Sequence, residues 1–78
     1  MADITEGRIE LNARVKNSSG SSRTLRLEPW GDEHELAPGR CIDLVITGPG
    51  PGRLEIQLES EVIVLWGWTG SVIGLESE

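Results

Sequence analysis

Apolar and polar residues alternate along most of this chain, and that period of two constrains the fold more than any other feature of the sequence. Segment 8–16 places an apolar side chain at every second position, namely Ile9, Leu11, Ala13 and Val15. Segment 53–59 repeats the pattern at Leu54, Ile56 and Leu58. Successive side chains of a strand point to opposite faces, whereas a helix repeats every 3.6 residues, and no segment keeps that helical period. The sequence therefore predicts a chain of half-buried strands.

Turn-forming residues divide the chain into seven short strands. We expect strands at 8–16, 23–30, 33–36, 41–47, 53–59, 62–68 and 71–75. The intervening runs 17–22 and 48–52 are rich in serine, glycine and proline, which favour turns. Loops this short favour antiparallel pairing. These features predict an all-β fold, a small antiparallel β-sandwich of about seven short strands with Ig-like or cupredoxin-like layering; the alternative is a small β-barrel.

The length of the chain indicates a single domain. Its 78 residues are enough for one hydrophobic core and too few for two. We expect residues 1–78 to form that domain, with 1–6 and 77–78 poorly ordered. Within the domain, we expect 17–22 to be the most mobile segment, because its asparagine, serine and glycine residues have nothing to bury.

The chain is acidic, with a formal net charge of −6, and its charge is uneven. Residues 1–26 carry five basic and three acidic side chains, whereas residues 27–78 carry two basic and ten acidic ones. Nucleic-acid binding leaves a basic footprint and anionic membranes repel acidic proteins, so we expect neither partner. Cys41 is the single cysteine, which excludes an internal disulfide. The N-terminal residues lack the pattern of a signal peptide, and we expect a cytoplasmic protein.

Residues that carry catalysis or bind metals are sparse. His34 is the single histidine, and its neighbours Glu33 and Glu35 would point to the opposite face of a strand. A metal site needs several converging ligands, and an activated thiol at Cys41 would need a base and an orienting group. Segment 48–52 is glycine-rich but lacks the lysine and the following helix of a phosphate loop. We expect no enzyme activity, no metal and no cofactor, and Cys41 as a buried or half-buried apolar residue.

Three tryptophans supply all the aromatic area, because the chain has no phenylalanine and no tyrosine. Trp66 and Trp68 would lie on one face of one strand, roughly 6.6 Å apart. If that face is inward, both rings belong to the core. If it is exposed, they form a flat platform for a sugar ring or a peptide. A carbohydrate- or small-ligand-binding module using Trp30, Trp66 and Trp68 is therefore one candidate function.

Segment 62–68 is apolar on both faces, whereas a sandwich strand normally has one face in the core and one in water. We assign the face of Val62, Val64, Trp66 and Trp68 to the core. Ile63 and Leu65 then form an exposed apolar patch, and such patches mark interaction sites. The preferred function is a non-enzymatic protein-interaction module that contacts a protein partner, or a second copy of itself, through this strand.

Several short motifs punctuate the chain: Leu27-Glu28-Pro29-Trp30-Gly31, Pro38-Gly39, Gly48-Pro49 and Trp66-Gly67-Trp68-Thr69-Gly70-Ser71. In these motifs the chain resembles a family of short uncharacterised bacterial all-β proteins, and the resemblance spans most of its length. It implies an all-β fold and a bacterial source. It implies no activity, substrate or site residue.

Overall fold

The structure is a computed structural model that describes residues 7–76. These residues form seven strands and no helix. The strands are β1 (Arg8–Lys16), β2 (Arg23–Glu28), β3 (Asp32–Leu36), β4 (Cys41–Pro49), β5 (Glu55–Leu58), β6 (Val62–Trp66) and β7 (Val72–Leu75). The two termini for which we expected poor order, 1–6 and 77–78, lie outside the described residues.

The seven strands form two sheets, which confirms the predicted sandwich over the barrel alternative. One sheet has three strands in the order β1-β4-β7, and the other has four in the order β3-β2-β6-β5. Every predicted strand is present. β2 ends at Glu28, because Pro29 has no N–H to donate to a neighbouring strand.

One strand pair departs from the expected antiparallel pattern. β2 and β6 run parallel, with Leu25 opposite Ile63 and Leu27 opposite Leu65, whereas the other four pairs are antiparallel. The expectation was wrong for this pair because it considered only the loops between consecutive strands. Three strands separate β2 from β6, and one of them, β4, lies in the other sheet. That path is long enough for a parallel crossover.

The core lies between the sheets and consists of aliphatic side chains from both. Its buried members are Leu25, Leu27, Leu36, Leu44, Ile46, Leu65 and Ile73. Ala13 and Val15 of β1 pack against this cluster, and Ala13 lies opposite Leu44 on the adjacent strand. The period-two pattern therefore predicts the inner faces of β1 and β4 correctly.

The predicted orientation of β6 is wrong. Leu65 has no exposed surface and belongs to the core, and Ile63 is half-buried against that core. Trp66, which we assigned to the core, is 39% exposed. The expected exposed patch of Ile63 and Leu65 is therefore not present at the surface.

The central position of β6 explains why its sequence is apolar on both faces. β6 lies between β2 and β5, so neighbouring side chains cover its outer face as well as its inner face. Val64 on the outer face is only 2% exposed, and the long side chains of Arg26 and Gln57 lie directly opposite it on the two adjacent strands. An apolar run in a central strand does not reveal which face is inward.

The loop between β1 and β2 is anchored by a buried side chain, whereas the sequence analysis expected its residues to have nothing to bury. Asn17 is only 3% exposed, and its Nδ2 donates to the carbonyl oxygens of Ser21 and Leu36 at 2.8 and 2.9 Å. Its Oδ1 accepts hydrogen bonds from the backbone N–H and the hydroxyl of Ser19. One asparagine side chain thus ties this loop to the end of β3.

Candidate functional site

The most exposed large apolar side chains among residues 7–76 lie on β5. Ile56 is 59% exposed and Leu58 is 77% exposed. Both side chains are on the inner face of their sheet, because Ile56 lies opposite Leu65 and Leu58 lies opposite Ile63. The inner face of β5 is therefore apolar but uncovered.

The unequal widths of the two sheets explain this exposure. A sheet of four strands packs against a sheet of three, and β5 is the last strand of the wider one. Within the described residues, no strand pairs with the second edge of β5. An open edge of this kind is a template for a further strand, since its backbone donors and acceptors are available for pairing.

β1 and β5 end close to one another at one end of the sandwich. Lys16 at the end of β1 and Leu58 at the end of β5 line one surface cavity, to which Ile63 also contributes. β1 is the last strand of its own sheet, and its inward residue Leu11 is 39% exposed. We call this surface the open side: the free edges of β1 and β5 with Leu11, Ile56 and Leu58.

The two edges of the open side carry opposite charges on their outer faces. β1 presents Arg14 and Lys16 there, both exposed. At β5 the outward residues are Glu55, Gln57 and Glu59, also exposed, and Gln57 Nε2 donates to the Glu59 carboxylate at 2.7 Å. A strand that docks beside β5 therefore meets apolar side chains on one face and carboxylates on the other.

Arg14 is held in place by Asp43 of the neighbouring strand β4. Arg14 Nε donates to Asp43 Oδ1 at 2.6 Å, and Nη2 donates to Oδ2 at 3.1 Å. These hydrogen bonds lower the pKa of the Asp43 carboxyl from its ordinary value, against an opposing effect of desolvation, and the guanidinium charge adds to the lowering. The pair thus fixes the position of the Arg14 guanidinium on the outer face of β1, where the Asp43 carboxylate offsets its charge.

Trp68 packs among the loops at the end of the sandwich opposite the cavity of Lys16 and Leu58. Its Nε1 donates to the Pro49 carbonyl oxygen at 2.7 Å. A Cβ at Gly52 would lie 2.5 Å from Cε2 of the indole, so only glycine lets the backbone approach the ring this closely. Trp66 and Trp68 do not share a face as predicted, because β6 ends at Trp66 and the chain then turns towards β7.

Trp66 presents an exposed and ordered indole on the outer face of the four-stranded sheet. It is 39% exposed, and its Nε1 donates to Gln57 Oε1 at 3.2 Å. Glu28 of β2 and Glu55 of β5 lie directly opposite it on the adjacent strands. A fixed ring between two carboxylates offers an apolar face for stacking and hydrogen-bond acceptors at its sides.

Trp30, in the turn after β2, belongs to the same end of the sheet and is 43% exposed. A Cβ at Gly67 would lie 3.0 Å from Trp30 Cη2, which places the tip of this ring beside the residue that follows Trp66. The same Cβ would lie 2.5 Å from Ser71 Oγ, a buried hydroxyl with no hydrogen-bond partner in the structure. Trp66 is therefore the exposed aromatic surface of the four-stranded sheet, and Trp30 is a second exposed ring at the same end of that sheet.

The structure separates the five predicted binding residues. Trp30 and Trp66 lie near one another at one end of the four-stranded sheet, while Trp68 packs among the loops there. Ile63 is at the opposite end of β6, where it lines the cavity of the open side. Leu65 is fully buried, so no partner reaches it without disrupting the core.

Sequence reasoning missed Ile56 and Leu58 as surface residues, because the clear alternation of segment 53–59 assigned them to the core. One signal in the sequence points the other way. The polar positions of this short strand include Glu55 and Glu59, and charged residues are typical of edge strands. An edge strand of the wider sheet in a sandwich is not covered by the narrower one.

Cys41 is exposed, so the expectation of a buried or half-buried thiol is wrong. Cys41 pairs with Lys16 at the edge of the described ladder, which leaves its side chain on the outer face of the three-stranded sheet. The thiol lines a surface cavity with Leu36 and Ile42, and His34 is not among the residues that line it.

In the part of the chain that the structure describes, no three His, Cys, Asp or Glu side chains are arranged to hold a metal ion.

Between residues 7 and 76 there is no helix long and apolar enough to cross a membrane. No family model matches the chain, and no curated protein or solved structure matches it at a significant level. The open side and the exposed tryptophans are the candidate binding surfaces of the described residues.

Proposed function

We propose that this protein is a non-enzymatic protein-interaction module that takes an extended segment of a partner chain at its open side. The observation that carries the proposal is the 77% exposure of Leu58 on β5, whose second edge pairs with no strand of the described residues. An exposed aliphatic side chain beside unpaired backbone groups is what strand addition uses, since main-chain hydrogen bonds give affinity and alternate side chains give specificity.

The geometry of β5 defines the chemistry of the segment that fits. Its apolar side chains must face Ile56 and Leu58, where they complete the core between the sheets. Its other face must carry basic residues, because it lies next to Glu55 and Glu59. Opposite charges on adjacent strands stabilise the pair, whereas acidic residues there would repel. The expected partner is therefore an extended segment in which apolar and basic residues alternate.

A peptide with the sequence of residues 8–16, Arg-Ile-Glu-Leu-Asn-Ala-Arg-Val-Lys, alternates apolar and polar residues, three of its five polar residues are basic, and it is a suitable probe. We expect the labelled peptide to bind the protein in a fluorescence anisotropy titration. A peptide of the same composition with its apolar residues made contiguous should bind at least tenfold more weakly, because it cannot present one apolar face.

Two variants locate the binding surface. Leu58→Asp should weaken peptide binding at least tenfold, because it places a carboxylate in the apolar half of the open side. Val72→Asp is the matched control, since Val72 is 57% exposed but lies on β7 at the other side of the sandwich. Equal binding of the two peptides, or equal loss in the two folded variants, would contradict the proposal.

A second candidate function is carbohydrate binding at the exposed aromatic surface. The observation that favours it is the Trp66 indole, which Gln57 fixes by a hydrogen bond and which Glu28 and Glu55 flank. An aromatic face stacks on the apolar face of a sugar ring, while the flanking carboxylates accept hydrogen bonds from hydroxyls. The site is a flat surface, which suits a chain of sugars better than a single one.

Tryptophan fluorescence tests this candidate. We expect one of a panel of soluble glucans, mannans and chitin oligosaccharides to protect Trp66 from iodide quenching. The Trp66→Ala variant should lose binding while Leu58→Asp retains it, because the two residues lie on different faces of the sheet. If quenching is unchanged by every member of the panel, the aromatic surface is not a carbohydrate site.

A further inference from the structure

We infer that the partner strand is β1 of a second copy of this chain, and that two copies pair about a two-fold axis parallel to their strands. In this arrangement β1 of each copy extends the sheet that ends in β5 of the other. The inference rests on the proposed function, because it uses the same open side.

The directions of the strands permit this pairing. β1 and β5 both end at the cavity lined by Lys16 and Leu58, so they run towards the same end of the sandwich. A two-fold axis parallel to the strands keeps their direction and exchanges the two layers. It therefore places β1 of each copy beside β5 of the other, with the two strands parallel and at the same level. Two equivalent β1–β5 pairs form, one in each layer of the sandwich.

The side chains that then meet are complementary. Lys16 and Glu59 line the same cavity, so a two-fold axis along the strands brings Lys16 level with Glu59 of the other copy and Arg14 between the positions of Glu55 and Glu59. On the inner face, Val15 comes level with Leu58 of the other copy, so aliphatic residues face each other there. Opposite charges on the outer face and apolar contacts on the inner face are the features that stabilise adjacent strands.

The second possible axis, perpendicular to the strands, gives a poorer arrangement. It would place β5 beside β5 of the other copy in antiparallel orientation. Centred on Gln57, this pairing sets Glu55 of each copy opposite Glu59 of the other. Like charges directly opposite on adjacent strands are destabilising, so the charges of β5 select the parallel axis.

The expected interface is small. The chain exposes 5341 Å², and a specific interface takes about a tenth of the surface of a small protein, about 530 Å² for each copy. This value is at the lower end of specific interfaces, and we expect a dissociation constant in the micromolar range. Burial of Leu11, Ile56 and Leu58 at two symmetry-related sites supplies its apolar part.

Sedimentation equilibrium at low ionic strength tests the inference. The parent protein should reach a species of twice the 8.5 kDa of the chain. Glu59→Lys and Lys16→Glu should each weaken association at least tenfold, and the double variant should restore it to within threefold, because it exchanges the two charges. Glu35→Lys is the control: it makes the same charge change on β3, away from the open side, and should alter association less than twofold.

The outcomes separate this inference from the proposed function. A parent protein that stays monomeric to millimolar concentration but binds the residue 8–16 peptide overturns the second copy as partner and leaves strand addition standing. A dimer that is insensitive to Leu58→Asp overturns the second copy as the occupant of the open side, because the open side is then not its interface, and strand addition is overturned separately if the residue 8–16 peptide also fails to bind. A dimer weakened by Leu58→Asp but not restored in the double variant overturns the parallel pairing.

Discussion

Replacing Leu65 with alanine tests which face of β6 belongs to the core. Leu65 has no exposed surface, and Leu58, on the same face of the adjacent strand, is 77% exposed. The same leucine-to-alanine change at these two positions removes the same atoms from opposite environments. The two variants therefore form a matched pair in which burial is the main difference.

The magnitudes differ severalfold. Truncation of a fully buried leucine costs the transfer free energy of the removed carbons and leaves a cavity, together about 3 kcal/mol. Leu58 keeps most of its surface in water, so its truncation should cost about 0.5 kcal/mol. A domain of this size has a free energy of unfolding of about 5 kcal/mol, and Leu65→Ala should lower it by more than half.

Urea denaturation followed by circular dichroism measures both free energies of unfolding. The protein should be kept at low micromolar concentration, so that association does not contribute to the stability. Equal destabilisation by Leu65→Ala and Leu58→Ala would refute the assignment of Leu65 to the core and return the inner face of β6 to Val64 and Trp66.

Three further predictions concern single contacts. Gly52→Ala should destabilise by about 2 kcal/mol in urea denaturation, because the new methyl group overlaps a tryptophan ring, whereas Gly20→Ala should change stability by less than about 0.5 kcal/mol since nothing lies within 4 Å of its Cβ. Asn17→Ala should cost about 2 kcal/mol by the same measurement and speed amide exchange in the β1–β2 loop, and unchanged exchange there would show that the loop is not anchored by this side chain. The pKa of the Asp43 carboxyl should lie below 3.8 in an NMR titration and return towards that value in Arg14→Gln. The stabilisation that comes from this lowered pKa is present above pH 3.8 and is lost as the pH falls through the pKa of the folded state. A normal pKa in the parent protein would contradict the ion pair.

The strands of this fold are predictable from the sequence because each depends on a local pattern. The alternation of 8–16 gives β1 with its correct inner face, and the turn residues give the number of strands. The positions of the strands in the sheets are not local. β6 pairs in parallel with β2, which is more than thirty residues earlier, and no pattern within either segment records that neighbour.

The errors at the candidate site have the same origin. An apolar strand such as 62–66 is compatible with either face being inward until its neighbours on both sides are known. Ile56 and Leu58 follow the pattern of core residues, and only the widths of the two sheets show that nothing covers them. Asn17 lies in a segment with the composition of a loose loop, and its burial depends on the carbonyl group of Leu36, nineteen residues away.

Amide hydrogen exchange as a function of protein concentration detects strand addition at the open side, because a strand that adds to an edge protects the amides of that edge. We expect protection of the β5 and β1 amides to rise at least tenfold between about 10 µM and about 1 mM protein, while the other edge strands, β3 and β7, remain unchanged. Strand addition at the open side would be contradicted if protection rose at β3 or β7 instead. It would also be contradicted if protection of β5 and β1 stayed constant even after the residue 8–16 peptide was added.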